Sequence, residues 1–263
     1  MIDVIATSKE LINYIRSYVD GVGVRGVVLG VSGGTDSATT AALAVKALGP
    51  ERVHALILPD KENDEEDIRD AELVAKVLGL ENVEYIDITD IVESFLKALK
   101  TDYDRAPRIP KGNIKARVRM VILYYYANIH NLLVVGSSDR SEYLLGFFTK
   151  WGDGAADIYP LINLYKTQVR LLAEYLGIPE KIAWKPSSPG FWRGHKARDE
   201  LGADYDLIDK ILYHLVDLRL SPAETAERVG APLELVYSVL KRIEGTEHKR
   251  RFIQFPPKPT YIT

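Results

Sequence analysis

A chain of 263 residues, 46% hydrophobic, can bury a substantial core as one α/β unit. Its net charge of −3 gives no overall basic field for nucleic acid, and the absence of cysteine excludes disulfides, thiolate metal sites and a cysteine nucleophile. No apolar run approaches the roughly 20 residues of a membrane-spanning helix, and the N-terminus has no signal-peptide layout, so a cytoplasmic location is expected. A scarcity of Met and Gln leans toward a thermostable composition.

Helical and strand patterns alternate through the first two thirds. The periodicity predicts a helix over Ile5–Val19, a strand over Gly26–Val31 and an Ala-rich helix over Ser37–Leu48, stopped by Gly49-Pro50. Val53–Leu58 is the next predicted strand, Asp64–Leu78 an acid-started helix, Val83–Ile88 a third strand and Asp90–Leu99 a helix. A polar loop, Lys100–Gly112, should lead into a long helix over Asn113–His130, and Leu132–Gly136 into a fourth buried strand. Strands separated by helices imply βαβ units with right-handed crossovers and a mostly parallel sheet, whose ligands sit at the carboxyl ends of the strands. Beyond Pro160 a helix is expected at Lys166–Leu176, a loop at Ile182–Asp199, and helices from about residue 203 to 250 as an extension of the single 1–263 unit.

The most informative stretch is Ser32-Gly33-Gly34-Thr35-Asp36-Ser37, between the strand and the Ala-rich helix. A strand that breaks at two glycines and enters a helix gathers backbone N–H groups and the positive helix end around one concavity, where a pyrophosphate can sit. Ser32 and Ser37 add hydroxyls, and Asp36 a carboxylate suited to magnesium. The P-loop string G-x-x-x-x-G-K-[ST] does not occur. Gly21–Gly26 spells G-x-G-x-x-G, but it follows a helix and precedes a strand, the reverse of a dinucleotide fingerprint, and is expected to be a connecting turn.

The loop resembles the S-G-G-x-D-S pyrophosphate loop of N-type ATP pyrophosphatases. Further strings follow in order: Asn113–Met120, Gly136–Glu142, the Gly146-Phe147-Phe148-Thr149-Lys150-Trp151-Gly152-Asp153-Gly154-Ala155-Ala156-Asp157 block, Tyr159–Leu161 and Thr246–Arg250. Together they resemble NAD synthetase over Val27 to Arg250. The resemblance implies a Rossmann-like parallel sheet flanked by helices, of the adenine nucleotide alpha hydrolase type, with a helical C-terminal segment. It implies ATP-dependent amidation of deamido-NAD to NAD with ammonia, through an adenylated intermediate, releasing AMP and pyrophosphate. It also implies a homodimer.

On that resemblance, ATP would lie on Gly30, Val31, Ser32, Gly33, Gly34, Thr35, Asp36, Ser37, Ser137, Lys166 and Ser188, with Mg2+ on Asp36 and Glu142. Arg117, Lys150, Asp157, His248 and Lys249 fall on the deamido-NAD positions, where cations suit a pyrophosphate and a free carboxylate. Catalysis would rest on Asp36, Glu142 and Lys166, with Asp153 the candidate to take a proton from ammonium. One stretch departs from the family pattern. Between Pro186-Ser187-Ser188 and Glu200-Leu201-Gly202 the chain reads one residue longer and is basic where relatives are acidic; its composition suggests a mobile lid.

Blander readings stand beside these. Arg117 could be a solvated face residue, Glu142 a helix-start acid, and His248–Arg251 a solvated basic run. Phe147, Phe148 and Trp151 suit packing, and Tyr124-Tyr125-Tyr126 spread over core and interface. Two alternatives remain: another ATP pyrophosphatase of the same fold, such as the synthetase half of a GMP-forming enzyme, and nucleic-acid binding by the helix-turn-helix spacing of Ser221–Arg242. The second helix of that motif carries Glu234 and no basic residue before Lys241, so phosphate contacts would be sparse.

Overall fold

The computed structural model describes residues 2–251, 253 and 256. Asp3 accepts hydrogen bonds from the Ile5 and Ala6 N–H groups at 3.0 Å and so starts α1 (Val4–Val22), which Gly23 ends. The helix therefore runs through Gly21 and Val22, and only the remainder of the predicted turn leads into β1 (Gly26–Gly30). Then follow α2 (Thr35–Leu48), β2 (Val53–Ile57), α3 (Glu65–Val77), β3 (Asn82–Tyr85), α4 (Thr89–Ala98), α5 (Arg108–His130) and β4 (Leu132–Val134). The strands form one parallel sheet in the order β3-β2-β1-β4.

Successive side chains of a strand point to opposite faces, and here both faces are covered. Val27, Leu29 and Val31 pack with Ile15 and Val19 of α1, Ala41 and Ala42 of α2, and Val169 and Leu172 of α7 (Lys166–Tyr175). Val28, Leu56 and Val134 pack on the other side with Val92 and Leu96 of α4 and Val118 of α5. This is why β1 carries an unbroken apolar run, and β2 one interrupted only by His54, rather than an alternating pattern. Arg16 of α1 donates to the Ala47 carbonyl at 2.8 Å, satisfying an acceptor at the end of α2.

Other boundaries also differ from the sequence expectation, β4 for one ending at Val134 rather than Gly136. α5 begins at Arg108 rather than Asn113, because Pro107 stands at its N-cap and Pro110 in its first turn, where a missing N–H costs nothing. β3 ends at Tyr85, although the Ile86 and Ile88 N–H groups still donate to Ile57 and Pro59 carbonyls. The predicted 182–199 loop overlaps α8 (Glu180–Ala183) at one end and α9 (Ala197–Leu201) at the other.

After β4 come α6 (Arg140–Leu145) and α7, and then the C-terminal helices α10 (Tyr205–Leu212), α11 (Pro222–Val229), α12 (Leu233–Gly245) and α13 (Glu247–Arg250). A widened helical turn, Tyr213–Asp217, follows α10. α6, α9, α10 and α12 share a further core built on Leu145, Leu201, Ile208, Leu212, Val236 and Val239. The inward face of the helix-turn-helix segment is thus spent on packing against α6 and α10. Among the described residues no helix is long and apolar enough to cross a membrane.

Candidate active site

At the carboxyl end of β1 the chain turns sharply. Gly33 has φ +77°, and a Cβ there would stand 2.2 Å from the Asp67 carbonyl oxygen of α3, so no larger residue fits. The Ser37 hydroxyl accepts from the Ser32 N–H at 3.2 Å and lies 3.1 Å from the Ser32 hydroxyl, which folds the loop back on itself. Thr35 donates to the Ile182 carbonyl at 2.9 Å. Gly34 sits at the N-cap of α2 without a capping side chain, which leaves first-turn N–H groups for an anion.

This loop borders a cavity of about 420 Å³. Gly30, Val31, Ser32, Gly34, Thr35, Asp36 and Ser37 line it, joined by Ser137, Glu142, Asp153, Lys166, Ser188 and Lys249 from distant parts of the chain. Gly33 lies behind the lining, against α3.

The centre of the site is Lys166, the first residue of α7 and 1% exposed. Its ammonium lies 2.5 Å from Asp36, 2.9 Å from Asp139 and 3.0 Å from Glu142. Burial works against that charge, but the three carboxylates outweigh it and hold the Lys166 pKa well above its usual value. Burial pushes Asp139 up to about 7, with Lys166 pulling the other way and Asp36 adding to the rise. Glu142 is raised by the same combination of burial, Asp139 and Asp36 against Lys166. One ammonium therefore serves three acids, and the cluster is electron-rich.

Those acids have oxygens within 4.8 Å of one another. Asp36 Oδ1 has no hydrogen-bond partner, and Asp139 Oδ2 has the Lys166 ion pair but no aligned donor. Hard oxygen ligands with spare lone pairs fit a magnesium ion. Asp36 and Glu142 are the pair named from sequence; Asp139 completes the set and was missed. Its signal was local. Asp139 and Glu142 form the capping box that starts α6, with Asp139 Oδ1 accepting from the Glu142 N–H at 2.8 Å, so one string serves both helix start and site.

Asp153 faces the cavity and accepts from the Thr149 N–H at 2.9 Å, and the protein around it raises its carboxyl above the ordinary range. Lys249 donates to the Gly146 and Phe148 carbonyls at 2.8 Å, and burial lowers its pKa. Arg117, Lys150 and His248 lie off the cavity wall and are tied to one another: Arg117 donates to the Lys150 carbonyl at 3.1 Å, and Lys150 to the His248 carbonyl at 3.0 Å. Asp157 is also outside the lining, accepting from the Val134 N–H at 2.7 Å and the Tyr124 hydroxyl at 3.3 Å.

Pro186 to Trp192 closes one side of the cavity. Lys115, fully buried and paired with Asp60 and Glu62 at 2.6 Å, donates to the Phe191 carbonyl at 2.7 Å. Three basic residues that follow stand against acids: Arg193 against Asp64, His195 against Glu200 and Arg198 against Asp204. Lys185 is a further lining residue missed from sequence, held by Asp67 and Asp70 of α3 at 2.7 and 2.6 Å.

Residues 7–253 match the family described as NAD synthase. The chain belongs to that family. An NH(3)-dependent NAD(+) synthetase of Hyperthermus butylicus is 51% identical over 98% of this chain and 91% of its own length. Among solved structures, the NMN synthetase of Francisella tularensis superposes with a TM-score of 0.83 at 35% identity, covering 98% of this chain and all of that one. The NH3-dependent NAD synthetase of Campylobacter jejuni, solved with a nitrate ion, gives 0.80 at 29% identity over 97% and 100%. The glycine loop and the Lys166 cluster meet at Asp36 and line one cavity, while Arg117, Lys150 and His248 lie outside its lining.

Proposed function

We propose that this chain is a ligase forming a carbon–nitrogen bond, converting deamido-NAD to NAD with ATP and ammonia in the cytoplasm. The observation that carries the reading is the Lys166–Asp36–Asp139–Glu142 cluster gathered at the uncapped start of α2, with Asp153 lining the same cavity. The alternative pyrophosphatases of this fold are set aside by the family match.

A carboxylate resists ammonia because its charge repels nucleophiles and oxide leaves poorly. In the first step the substrate carboxylate oxygen attacks the α-phosphorus of ATP, and the bond to the β-phosphate bridging oxygen breaks to release pyrophosphate. The N–H groups at the start of α2, the Ser32 and Ser37 hydroxyls and the Lys166 ammonium take up the charge that develops on the leaving group. Asp36, Asp139 and Glu142 would hold Mg2+, which when bound adds further charge neutralisation on the phosphates. In the second step Asp153 takes a proton from ammonium, the ammonia so formed attacks the acyl carbon, and AMP leaves as the nitrogen's second surplus proton passes to solvent. The raised pKa of that carboxyl suits it to accept a proton.

The remaining substrate cations sit on the rim for a reason the dimer supplies. Arg117 is followed at i+4 steps on α5 by Val121, Tyr125 and Ile129, all strongly exposed, with Phe95 of α4 and Leu99 just after it exposed as well. A second copy covering this apolar ridge would enclose Arg117 and complete the dinucleotide site.

Incubation with ATP, Mg2+, deamido-NAD and ammonium should yield NAD and AMP in equal amounts; ADP as product would overturn the cleavage site. The name of the Francisella tularensis relative brings a second acceptor into view, the mononucleotide acid that amidation turns into NMN. Offered both acids, this chain should prefer the dinucleotide, in line with its Hyperthermus butylicus relative.

A further inference from the structure

The two helix starts that carry Lys166 and Glu142 are bridged from a third helix. Asp209 of α10 is 5% exposed. Its Oδ1 accepts from the Ser141 hydroxyl at 2.6 Å and its Oδ2 from the Thr167 N–H at 2.8 Å. The Ser141 hydroxyl oxygen accepts in turn from the Lys166 N–H at 3.1 Å. Ser141 directly precedes Glu142 in α6, and Thr167 directly follows Lys166 in α7.

We propose that Asp209 is a positioning residue that fixes Lys166 and Glu142 relative to each other, so that the C-terminal helices serve the reacting centre as well as packing. A buried carboxylate is costly unless its hydrogen bonds are met, and burial raises the Asp209 pKa. An apolar residue would suffice for helix packing alone; three donors converging on one link are a device for registering α6 against α7. Tyr205, four residues earlier on α10, supports this. It is 3% exposed, lines the cavity, and its ring centroid lies 5.2 Å from the Lys166 ammonium, so one face of α10 addresses the cluster twice. Displacement of a catalytic group by about 1 Å costs on the order of 100-fold, so loss of the bridge should be felt in turnover.

The inference rests on the synthetase reading, and the experiment separates the two. Asp209→Asn keeps one acceptor and the side-chain shape but loses the second. It should lower kcat/KM for ATP roughly 10- to 100-fold, the usual scale for groups that orient a site, with the KM for ammonium within about twofold of the parent. Asp206→Asn on the same helix, an exposed acid paired with the buried Arg170 and outside the Lys166 cluster, should leave turnover unchanged. ATP affinity measured calorimetrically with Mg2+ gives a second readout that needs no turnover. In a Lys166→Met background, the Asp209→Asn effect on ATP affinity should shrink at least about threefold, because a residue acting through Lys166 cannot act without it. Should Asp209→Asn not fold, Ser141→Ala carries both measurements. Retention of more than half the parental kcat/KM, or an equal affinity loss in both backgrounds, overturns the proposal. An unsubstituted protein that makes no NAD overturns the synthetase reading alone, since the ATP titrations still report on Asp209.

Discussion

Lys166→Met removes one charge and almost no volume from the centre of the site. The Asp36, Asp139 and Glu142 oxygens lie within 4.8 Å of one another, so each unshielded pair repels by at least about 3.5 kcal/mol at an effective dielectric near 20. Proton uptake and local relaxation discharge part of this, and removing one member of a buried ion cluster costs about 3–5 kcal/mol. For a chain of this size that corresponds to a fall in Tm of roughly 6–20 °C. The sign of the pH dependence follows from the shifts. Asp139 and Glu142 have folded-state pKa values above their unfolded ones, so each favours folding as pH falls through the folded value and penalises it above. The Lys166 pKa is raised as well, so its contribution is intact at neutral pH and lost only on strong alkalinisation. The deficit of Lys166→Met should therefore be larger at alkaline than at acidic pH, narrowing as pH falls below about 7, where Asp139 takes up a proton. Calorimetric melts in chelator, with and without added Mg2+, measure it; the divalent ion should restore part of the lost stability. A Tm within about 2 °C of the parent at the alkaline pH in chelator, under 1 kcal/mol by the same scaling, would show that the three carboxylates do not depend on Lys166.

Other consequences are open to measurement. Asp153→Asn should lower amidation about 10²- to 10⁴-fold at pH values where ammonium predominates, with the gap closing as free ammonia becomes the main species; an equal deficit at all pH values would make Asp153 a binding group only. Gly33→Ala sets a Cβ 2.2 Å from the Asp67 carbonyl at a positive φ, and should destabilise the fold by roughly 2–4 kcal/mol while weakening ATP binding, as denaturant melts and calorimetry would report. Gly112→Ala brings a Cβ to 2.5 Å from the Phe191 ring and should push the 186–192 segment outward, increasing its cleavage in limited proteolysis; an unaltered cleavage rate would mean that Lys115 alone secures the segment. Tyr125→Asp on the exposed α5 ridge should convert a dimer to a monomer in light scattering and raise the KM for deamido-NAD more than that for ATP.

What could be read from the sequence follows from how far apart the cooperating groups lie. Ser32–Ser37 is legible because strand, turn and helix are consecutive, and the chemistry of an uncapped helix start needs nothing from elsewhere. The parallel sheet is legible for the same reason, since buried runs separated by helices admit few topologies. Lys166 sits 130 residues from Asp36, and no pattern of spacing joins them; only the family resemblance did. Asp139 was overlooked because its side chain does two things, capping α6 through one oxygen and facing Lys166 with the other. Asp209 carries no motif at all. It is one acid on an amphipathic helix, and its meaning appears only when α10 docks against the starts of α6 and α7. The prolines at the head of α5 misled in the opposite direction, marking a first turn rather than a loop.

The charge count of the cluster bears on what the site selects. Three carboxylates against one ammonium leave a surplus of negative charge at the end of the cavity, which repels a bare triphosphate. The N–H groups at the uncapped start of α2, which carries Asp36 of the same cluster, attract it. The two demands would be reconciled by a nucleotide that arrives with its own divalent cation, which the acids would hold and whose charge would offset theirs. On the proposed reading, the surplus is therefore a filter. Neutralising one acid by Asp139→Asn should weaken discrimination between ATP with Mg2+ and ATP without it, from the parental ratio toward unity in equilibrium binding. An undiminished ratio would mean that the remaining carboxylates suffice to reject the free nucleotide.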